Sequence, residues 1–291
     1  MRKPAVQPSR IVVAFHPDLS AAAREAVEVN RFLENLPLER LFCGSLYDES
    51  LRQRVQSGEF DALIALGGDG TMLRAGRLCS RLGLPVLGIN MGRFGFLIEL
   101  QRQDWRDYLP RFLAGQFWLE DRMLLHAEHW RENRCLAAWD AINDVVIARG
   151  KYVRPIQVSL HVANYSLADY VADGLIAATA TGSTAYAMAV GGPVMPPELR
   201  NILIIPVAPH LSMDRAIILA ENESVEMTVK TNHEAVISVD GSVPVEMLHG
   251  DSLRVVSSDQ YVTFVRFQDP GYFYRNLIKY MQRNPSAGGV R

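Results

Sequence analysis

The sequence lacks the cysteine pattern of a disulfide framework or a zinc site. Its three cysteines, Cys43, Cys79 and Cys135, are far apart and odd in number, and no Cys-x-x-Cys pair occurs. Structural disulfides form in oxidising compartments, so this usage is typical of a protein from a reducing cytosol. We therefore expect a cytoplasmic protein.

An excess of charge of one sign and long hydrophobic runs are absent as well. The 30 basic residues against 32 acidic ones create no positive field that would hold nucleic acid. No run of 18 apolar residues occurs, and the apolar stretch at residues 11–15 is too short for the core of a signal peptide. We expect a soluble protein without a nucleic-acid or membrane partner.

Two common phosphate-binding motifs are also missing. The sequence contains no Gly-x-x-x-x-Gly-Lys-Ser/Thr, and no Gly-x-Gly-x-x-Gly follows a strand-like segment. These absences disfavour a P-loop ATPase and the common dinucleotide-binding fold. The 291 residues, 48% hydrophobic and 21% charged, have the composition of a globular protein and suffice for two domains.

The first 117 residues predict an α/β domain. Short apolar strands alternate with segments of helical periodicity, which indicates an open and mostly parallel sheet. Ser20 is predicted to cap the first helix. The predicted strands are residues 10–15, 38–43, 61–66 and 84–89, and the predicted helices are residues 20–36, 48–56, 71–82 and 104–113.

Residues 118–270 predict an all-β domain. Apolar and polar residues alternate over residues 156–162 and 225–229, and turn signals such as Asp240-Gly241 separate such runs. The pattern is typical of a sandwich or a barrel, and at this stage it does not distinguish between the two. Residues 271–291 form a tail that is predicted to be helical as far as residue 283 and to pack back on the first domain. Residues 284–291 are predicted to fray.

The segment Gly67-Gly68-Asp69-Gly70, here the Asp69 turn, follows an apolar strand and precedes a helix. Ligands of open α/β sheets bind at the carboxyl ends of the strands, and a helix amino terminus suits phosphate. Glycines let a phosphate approach the backbone, and Asp69 can deprotonate an attacking hydroxyl. Arg74, early in the helix, can pair with phosphate. The structural alternative is a plain strand–helix turn with Asp69 as its N-cap.

A second candidate site is Thr181-Gly182-Ser183-Thr184-Ala185-Tyr186, here the hydroxyl turn. Its small residues and hydroxyls can lie against a nucleotide, and Tyr186 can stack on a ring. Asp173, in an apolar run, needs a partner such as a ribose or an amide donor. Asn143-Asp144 is a weaker signal, since a turn before a strand has the same composition. His126 and His129 fall on opposite faces of a predicted strand, so we assign them structural roles and leave any metal ligands unassigned.

In this order the motifs resemble those of the ATP-NAD kinase family. The Asp69 turn matches the catalytic glycine-aspartate motif of that family, and Gly88-Ile89-Asn90-Met91-Gly92-Arg93-Phe94-Gly95-Phe96-Leu97 matches the segment that usually follows it. Asp173-Gly174-Leu175, the hydroxyl turn and Gly191-Gly192-Pro193 match the nucleotide-binding stretch. The resemblance runs from about residue 60 to residue 270 and is highly specific at the hydroxyl turn.

The resemblance implies an α/β amino-terminal domain, a β-sandwich carboxyl-terminal domain and a homodimer or homotetramer. It implies an enzyme that transfers the γ-phosphoryl group of ATP to the adenosine 2′-hydroxyl of NAD, with Mg²⁺ or another divalent metal as cofactor. In this reaction the 2′-hydroxyl faces Asp69, which acts as general base. The implied NAD or ATP contacts are Gly68, Gly70, Arg74, Phe96, Asn143, Asp144, Arg154, Asp173, Thr181, Gly182, Ser183, Thr184, Ala185, Tyr186 and Ser242.

The sequence departs from the family pattern in three places. Asp144 stands where Glu is usual, Ala178-Thr179-Ala180 replaces Ser-Thr-Pro, and Met213-Asp214-Arg215-Ala216 replaces a Ser-Ala-Arg-Pro-like segment. Two alternatives remain: another kinase that shares Gly-Gly-Asp-Gly, such as a lipid or sugar-phosphate kinase, and a non-catalytic NAD-binding sensor. The chain shows neither a lipid groove pattern nor a second α/β half, and it retains Asp69.

Overall fold

A computed structural model describes residues 7–92, 95–210 and 213–282. The chain divides into two compact units: the first combines the residues up to Asp121 with those from Tyr261 onward, and the second is Arg122–Gln260. The strands are β1 (Arg10–Phe15), β2 (Arg40–Ser45), β3 (Ala62–Gly67), β4 (Val86–Asn90), β5 (Leu100–Gln101), β6 (Trp118–Arg131), β7 (Arg134–Ala141), β8 (Asp144–Arg149), β9 (Ile156–Val162), β10 (Tyr165–Ala172), β11 (Gly174–Ala178), β12 (Asn201–Val207), β13 (Ile217–Ala220), β14 (Val225–Val229), β15 (Ala235–Val239), β16 (Val245–Met247) and β17 (Ser252–Arg266). The helices are α1 (Ser20–Glu34), α2 (Glu49–Gln56), α3 (Asp69–Ser80), α4 (Trp105–Leu113), α5 (Tyr186–Ala189) and α6 (Tyr272–Gln282), with a 3₁₀ turn at Gly182–Thr184.

The first unit contains a parallel sheet in the strand order β2-β1-β3-β4, as the sequence predicts. Every residue of β3 and β4 is buried, because helices cover both faces of such a sheet. The predicted cap of α1 is wrong: Ser20 is the first helical residue, Leu19 is the N-cap, and no side chain caps the helix. The apolar face of α1 packs into the core of this unit, and this packing stabilises the helix without a side-chain cap.

The second unit contains antiparallel strands in two sheets. One has the order β13-β12-β11-β8-β15-β16, and in the other β10, β9, β14 and β17 are neighbours in that order. β14 and β15 bury every second residue, as a strand with one face on a core must. Val145 and Ile147 of one sheet share a buried cluster with Val158 and Leu160 of the other. The shared core makes this unit a sandwich and confirms the predicted fold class.

The segment after β17 is helical and belongs to the first unit. The Phe273 ring lies 6.4 Å from that of Phe96, and the Tyr272 hydroxyl donates to Glu120 at 2.9 Å. Arg93, Phe94 and the predicted fraying of residues 284–291 lie outside the described residues. Within the described ranges, no helix has the length and apolarity that crossing a membrane requires.

Candidate active site

The Asp69 turn joins β3 to α3: Gly67 is the last residue of β3, and Asp69 is the first residue of α3. Gly68 is the N-cap, with extended backbone at φ −111° and ψ −170°, and its position leaves Asp69 as the first helical residue. The structural alternative, in which Asp69 caps the helix, is therefore wrong. Among the described residues, none has an atom within 4 Å of a Cβ built at Gly68 or Gly70, so these residues leave space on both sides of Asp69.

Backbone amides from a neighbouring turn hold the Asp69 carboxylate. The Phe96 N–H donates to Oδ2 at 2.8 Å and the Leu97 N–H to Oδ1 at 3.1 Å. A Cβ at Gly95 would lie 2.3 Å from both carboxylate oxygens, which no real side chain tolerates. Glycine at position 95 thus lets the carboxylate approach, and the two amides fix its orientation. The side chain of Asp69 is half-buried, beside the open space at Gly68 and Gly70.

The hydroxyl turn, in the second unit, uses most of its polar side chains inside the protein. The Ser183 hydroxyl donates to the Ala180 carbonyl at 2.6 Å and accepts the Met195 N–H at 2.8 Å. Thr181 Oγ1 accepts a hydrogen bond from Nη1 of the buried Arg122 at 3.0 Å. Both hydroxyl side chains belong to buried residues.

A close backbone contact joins the hydroxyl turn to Asn143. A Cβ at Gly182 would lie 2.0 Å from the Asn143 carbonyl oxygen, so only glycine fits there. Thr179, just before the turn, donates its hydroxyl to the Ile142 carbonyl at 2.6 Å and accepts the Gly182 N–H at 3.0 Å. The structure therefore brings Asn143, the residue before Asp144, to the hydroxyl turn. Within the turn, Thr184 and Ala185 are half-buried, and Tyr186 is exposed.

Asp144 is buried and lies next to a second carboxylate. Burial, and then the negative charge of Asp240, raise the pKa of Asp144 to about 7. Asp240 itself accepts the N–H groups of Ile142, Asn143 and Asp144 at 3.0, 2.7 and 3.1 Å. Asp240 does not stand out in the sequence, because Asp-Gly after an alternating strand indicates only a turn. Three converging amides are a tertiary contact that local sequence does not contain.

The remaining predicted residues make none of these contacts through their side chains, although the backbone N–H of Phe96 holds the Asp69 carboxylate. Asp173 has the partner that its apolar surroundings demand, since Arg149 Nε lies 3.2 Å from its Oδ1. Arg154 is exposed in the loop after β8. Ser242, also exposed, lies in the same turn as Asp240, and its hydroxyl accepts the Val239 N–H at 3.3 Å. Arg74 is exposed on α3, and Phe96 is buried.

The two predicted structural histidines point to opposite faces. His129 is buried and bonds Asp251 at 2.8 Å, whereas the half-exposed His126 bonds Asp140 at 2.9 Å. Arg131 also bonds Asp251. These contacts hold the pKa of Asp251 down at about 2, against the opposing effect of burial. In the described part of the chain, no group of three or more His, Cys, Asp or Glu side chains is arranged to hold a metal ion.

Comparison with known proteins gives one consistent result. Residues 11–117 match the family model of the ATP-NAD kinase N-terminal domain, and residues 142–267 match that of the ATP-NAD kinase C-terminal domain. The chain is 34% identical over 276 residues to an NAD kinase of Dehalococcoides mccartyi, covering 94% of this chain and 96% of that protein. It is 40% identical over 223 residues to the NAD kinase of Symbiobacterium thermophilum, covering 76% and 78%.

Solved structures agree with this result at the level of the fold. The NAD kinase from Archaeoglobus fulgidus in complex with ATP superposes with a TM-score of 0.73 at 25% identity, covering 93% of this chain and 97% of that one. Yeast NADH kinase in complex with NADH superposes with a TM-score of 0.83 at 22% identity, covering 95% and 89%.

Proposed function

The chain belongs to the ATP-NAD kinase family, and from that premise we propose that it phosphorylates NAD to NADP with Asp69 as general base. The 2′-oxygen of the adenosine ribose forms the new bond to the γ-phosphorus of ATP. The bond between that phosphorus and the β–γ bridging oxygen breaks, ADP leaves, and Asp69 accepts the hydroxyl proton. Phosphoryl transfer demands little covalent chemistry of a protein, which contributes positioning and charge neutralisation.

The fixed carboxylate of Asp69 is the observation that carries the proposal. A general base is effective when it is held within hydrogen-bonding reach of the proton that it accepts. The amides of Phe96 and Leu97 each donate to one carboxylate oxygen, which fixes the direction in which the carboxylate points. A carboxylate has about four lone-pair sites, so these two hydrogen bonds are compatible with proton acceptance from a substrate hydroxyl.

We assign the phosphates of the donor to the Asp69 turn and the dinucleotide to residues of the second unit. Gly68 and Gly70 border open space where a phosphate can approach the backbone, and the amino terminus of α3 favours negative charge. In the second unit, Tyr186 offers an exposed ring, and Asn143, which precedes Asp144, lies against the hydroxyl turn. A homodimer or homotetramer and a cytoplasmic location are parts of the same proposal.

A divalent metal fits the residues that are present. Mg²⁺ is commonly bound by one or two carboxylates together with substrate phosphates and water, rather than by an all-protein cage. The described residues offer no such cage, but they place the Asp69 carboxylate beside the proposed phosphate site. Asp69 would hold the metal, which would neutralise charge on the transferring phosphoryl group. Proton acceptance by Asp69 is proposed whether or not it also contacts the metal.

The experiment is to incubate the full-length protein with NAD, ATP and Mg²⁺ and to measure NADP. We expect NADP from the wild type and a large loss in Asp69→Asn. Sphingosine, diacylglycerol and fructose 6-phosphate, offered in place of NAD, test the other kinases that share Gly-Gly-Asp-Gly. Binding of NAD without any phosphorylation would favour the non-catalytic sensor and contradict the proposal.

A further inference from the structure

Three side chains outside the two turns meet at the same sheet edge as Asp69. His16 follows β1, Tyr47 follows β2, and Arg74 lies on α3, which follows β3. These three strands are parallel neighbours in the order β2-β1-β3, so their carboxyl ends lie at one edge of the sheet. We call His16, Tyr47 and Arg74 the Tyr47 cluster.

The Tyr47 ring is exposed yet held from two directions. Arg74 Cζ lies 4.7 Å from the ring centroid, and the His16 ring packs edge-on at 5.5 Å between centroids and 71° between planes. Tyr47 is nevertheless 47% exposed. Nearly half of the side chain is therefore open to solvent, where a ligand can reach the ring.

The backbone around the cluster is fixed by local hydrogen bonds. The Tyr47 N–H donates to Ser45 Oγ at 3.1 Å, and the Ser45 N–H donates to Asp48 Oδ2 at 3.0 Å. His16 Nδ1 accepts the Asp18 N–H at 3.2 Å, which leaves its Nε2 facing the Tyr47 hydroxyl at 3.5 Å. The ring is thus presented in one orientation instead of sampling many, as a stacking platform requires.

We propose that the Tyr47 cluster binds the nucleoside part of the phosphoryl donor, and this inference rests on the proposed kinase function. The purine base of ATP stacks on the Tyr47 ring, and Arg74 turns from that ring to the donor phosphates. A planar guanidinium forms stronger, charge-assisted hydrogen bonds to phosphate than it forms to an exposed ring face. Departure of Arg74 frees a face of the ring for the base.

The charges around the cluster orient the donor. Asp18 and Asp48 lie on the His16 and Ser45 side of Tyr47, where their carboxylates disfavour phosphate. Arg74, whose guanidinium packs on the Tyr47 ring, and the amino terminus of its helix α3 carry positive charge and favour phosphate. The base is therefore bound over Tyr47, and the phosphate chain runs past Arg74 to the Asp69 turn. Recognition of the base predicts a preference for a purine nucleoside triphosphate over inorganic polyphosphate.

The test measures the full-length protein with Tyr47→Ala, Tyr47→Phe and Arg74→Ala. Loss of base stacking in Tyr47→Ala should raise the KM for ATP and the Kd for ADP by about 10-fold and leave the KM for NAD unchanged. Tyr47→Phe keeps the ring and should resemble the wild type. Tripolyphosphate, which has no base, should bind Tyr47→Ala as it binds the wild type but should bind Arg74→Ala more weakly.

Two matched controls isolate the cluster. Tyr165→Ala removes another exposed tyrosine, at 79% exposure in β10, and Arg81→Ala removes an exposed arginine at the opposite end of α3. Both should leave the KM for ATP unchanged. Wild-type KM for ATP and Kd for ADP in Tyr47→Ala would overturn the inference while NADP formation stands. A wild type that makes no NADP would overturn the proposed function, and ADP titration by calorimetry would still decide the Tyr47 cluster.

Discussion

The Asp69 turn and the hydroxyl turn both combine glycine with polar side chains, but they use those polar groups in opposite ways. In the Asp69 turn, backbone amides from residues 96 and 97 hold the carboxylate, which stays half-buried beside open space. In the hydroxyl turn, the hydroxyls of Thr181 and Ser183 are buried and bonded to the protein. One turn presents a reactive group, whereas the other uses most of its polar groups to hold its own shape.

The difference teaches what each turn requires of its amino acids. Glycine at position 95 makes room for a side chain, and glycine at position 182 makes room for the Asn143 carbonyl. In the first case the space serves the Asp69 carboxylate. In the second it brings the backbones of two segments together, so that the more accessible residues at positions 184–186 are positioned by a rigid support.

The largest expected effect is at Asp69 itself. Asp69→Asn should fold and bind NAD, since one side-chain oxygen still accepts an amide, but it should lose about 10²–10⁴ in kcat, the usual contribution of a positioned general base. The measurement is steady-state NADP formation, with NAD binding followed separately. Wild-type turnover in this variant would show that Asp69 is not the general base. The Asp69 turn would then no longer differ from the hydroxyl turn in presenting a reactive group.

Gly95→Ala tests whether the orientation of the carboxylate matters apart from its presence. The added methyl overlaps both Asp69 oxygens and should displace them, with a loss of about 10²-fold in kcat from misplacement of a reacting group by about 1 Å. Gly92→Ala is the matched control, because no described residue has an atom within 4 Å of a Cβ at that position. Equal turnover in the two variants would mean that the carboxylate is not held as the structure indicates.

Local sequence predicts the elements of the first unit well, because their signals are short-range. The predicted strand at residues 10–15 coincides with β1, and the predicted start of the third helix differs from that of α3 by two residues. The start of α3 was predicted too late because Asp69, a residue type favoured at the N-cap, accepts hydrogen bonds from the amides of residues 96 and 97 instead. Gly68 therefore occupies the N-cap position. Tertiary contact overrides local preference here.

The candidate site is predictable in its motifs but not in its supports. Asp69 and Asp144 were found from their neighbours in the sequence. Gly95, Asp240 and Arg122 act across 26 to 98 residues of chain, through a close approach or a hydrogen bond to a backbone or side-chain atom. No local pattern encodes such a contact. The binding roles of all the predicted site residues, among them Arg154, Asp173 and Ser242, stay predictions.

Asp144 should have an effect of intermediate size. If its carboxylate accepts a hydrogen bond from NAD, Asp144→Ala should raise the KM for NAD by about 10-fold, the contribution of one hydrogen bond to a charged group. Since the pKa of Asp144 is raised to about 7, the KM of the wild type should fall as the pH rises through that value. Asp144→Asn should abolish this pH dependence, and an unchanged KM in Asp144→Ala would leave the residue a purely structural role.

Stability should respond to the same carboxyl group in the opposite direction. An acid with a raised pKa in the folded state loses folding stability between its unfolded value, near 3.8, and its folded value, about 7, because only the unfolded chain releases the proton easily. Asp144→Asn should therefore melt at a higher temperature than the wild type at pH 8, and the difference should shrink towards pH 4. A difference that does not vary with pH would contradict the assignment.

The smallest expected effect on turnover is at Ser183, and it tests the architectural half of the comparison. Ser183→Ala leaves the buried Met195 N–H without its acceptor, which should lower the free energy of unfolding by about 1–3 kcal/mol. Ser166→Ala, at an exposed position of β10, should change it by less than about 0.5 kcal/mol.

At a temperature where both variants stay folded, kcat should remain near that of the wild type, because the Ser183 hydroxyl faces the protein and not a ligand. Urea unfolding and NADP formation measured on the same samples separate the two roles. If Ser183→Ala lost NAD binding while its free energy of unfolding stayed unchanged, the Ser183 hydroxyl would be a ligand contact and not a structural group. The hydroxyl turn would then present a functional side chain, as the Asp69 turn does.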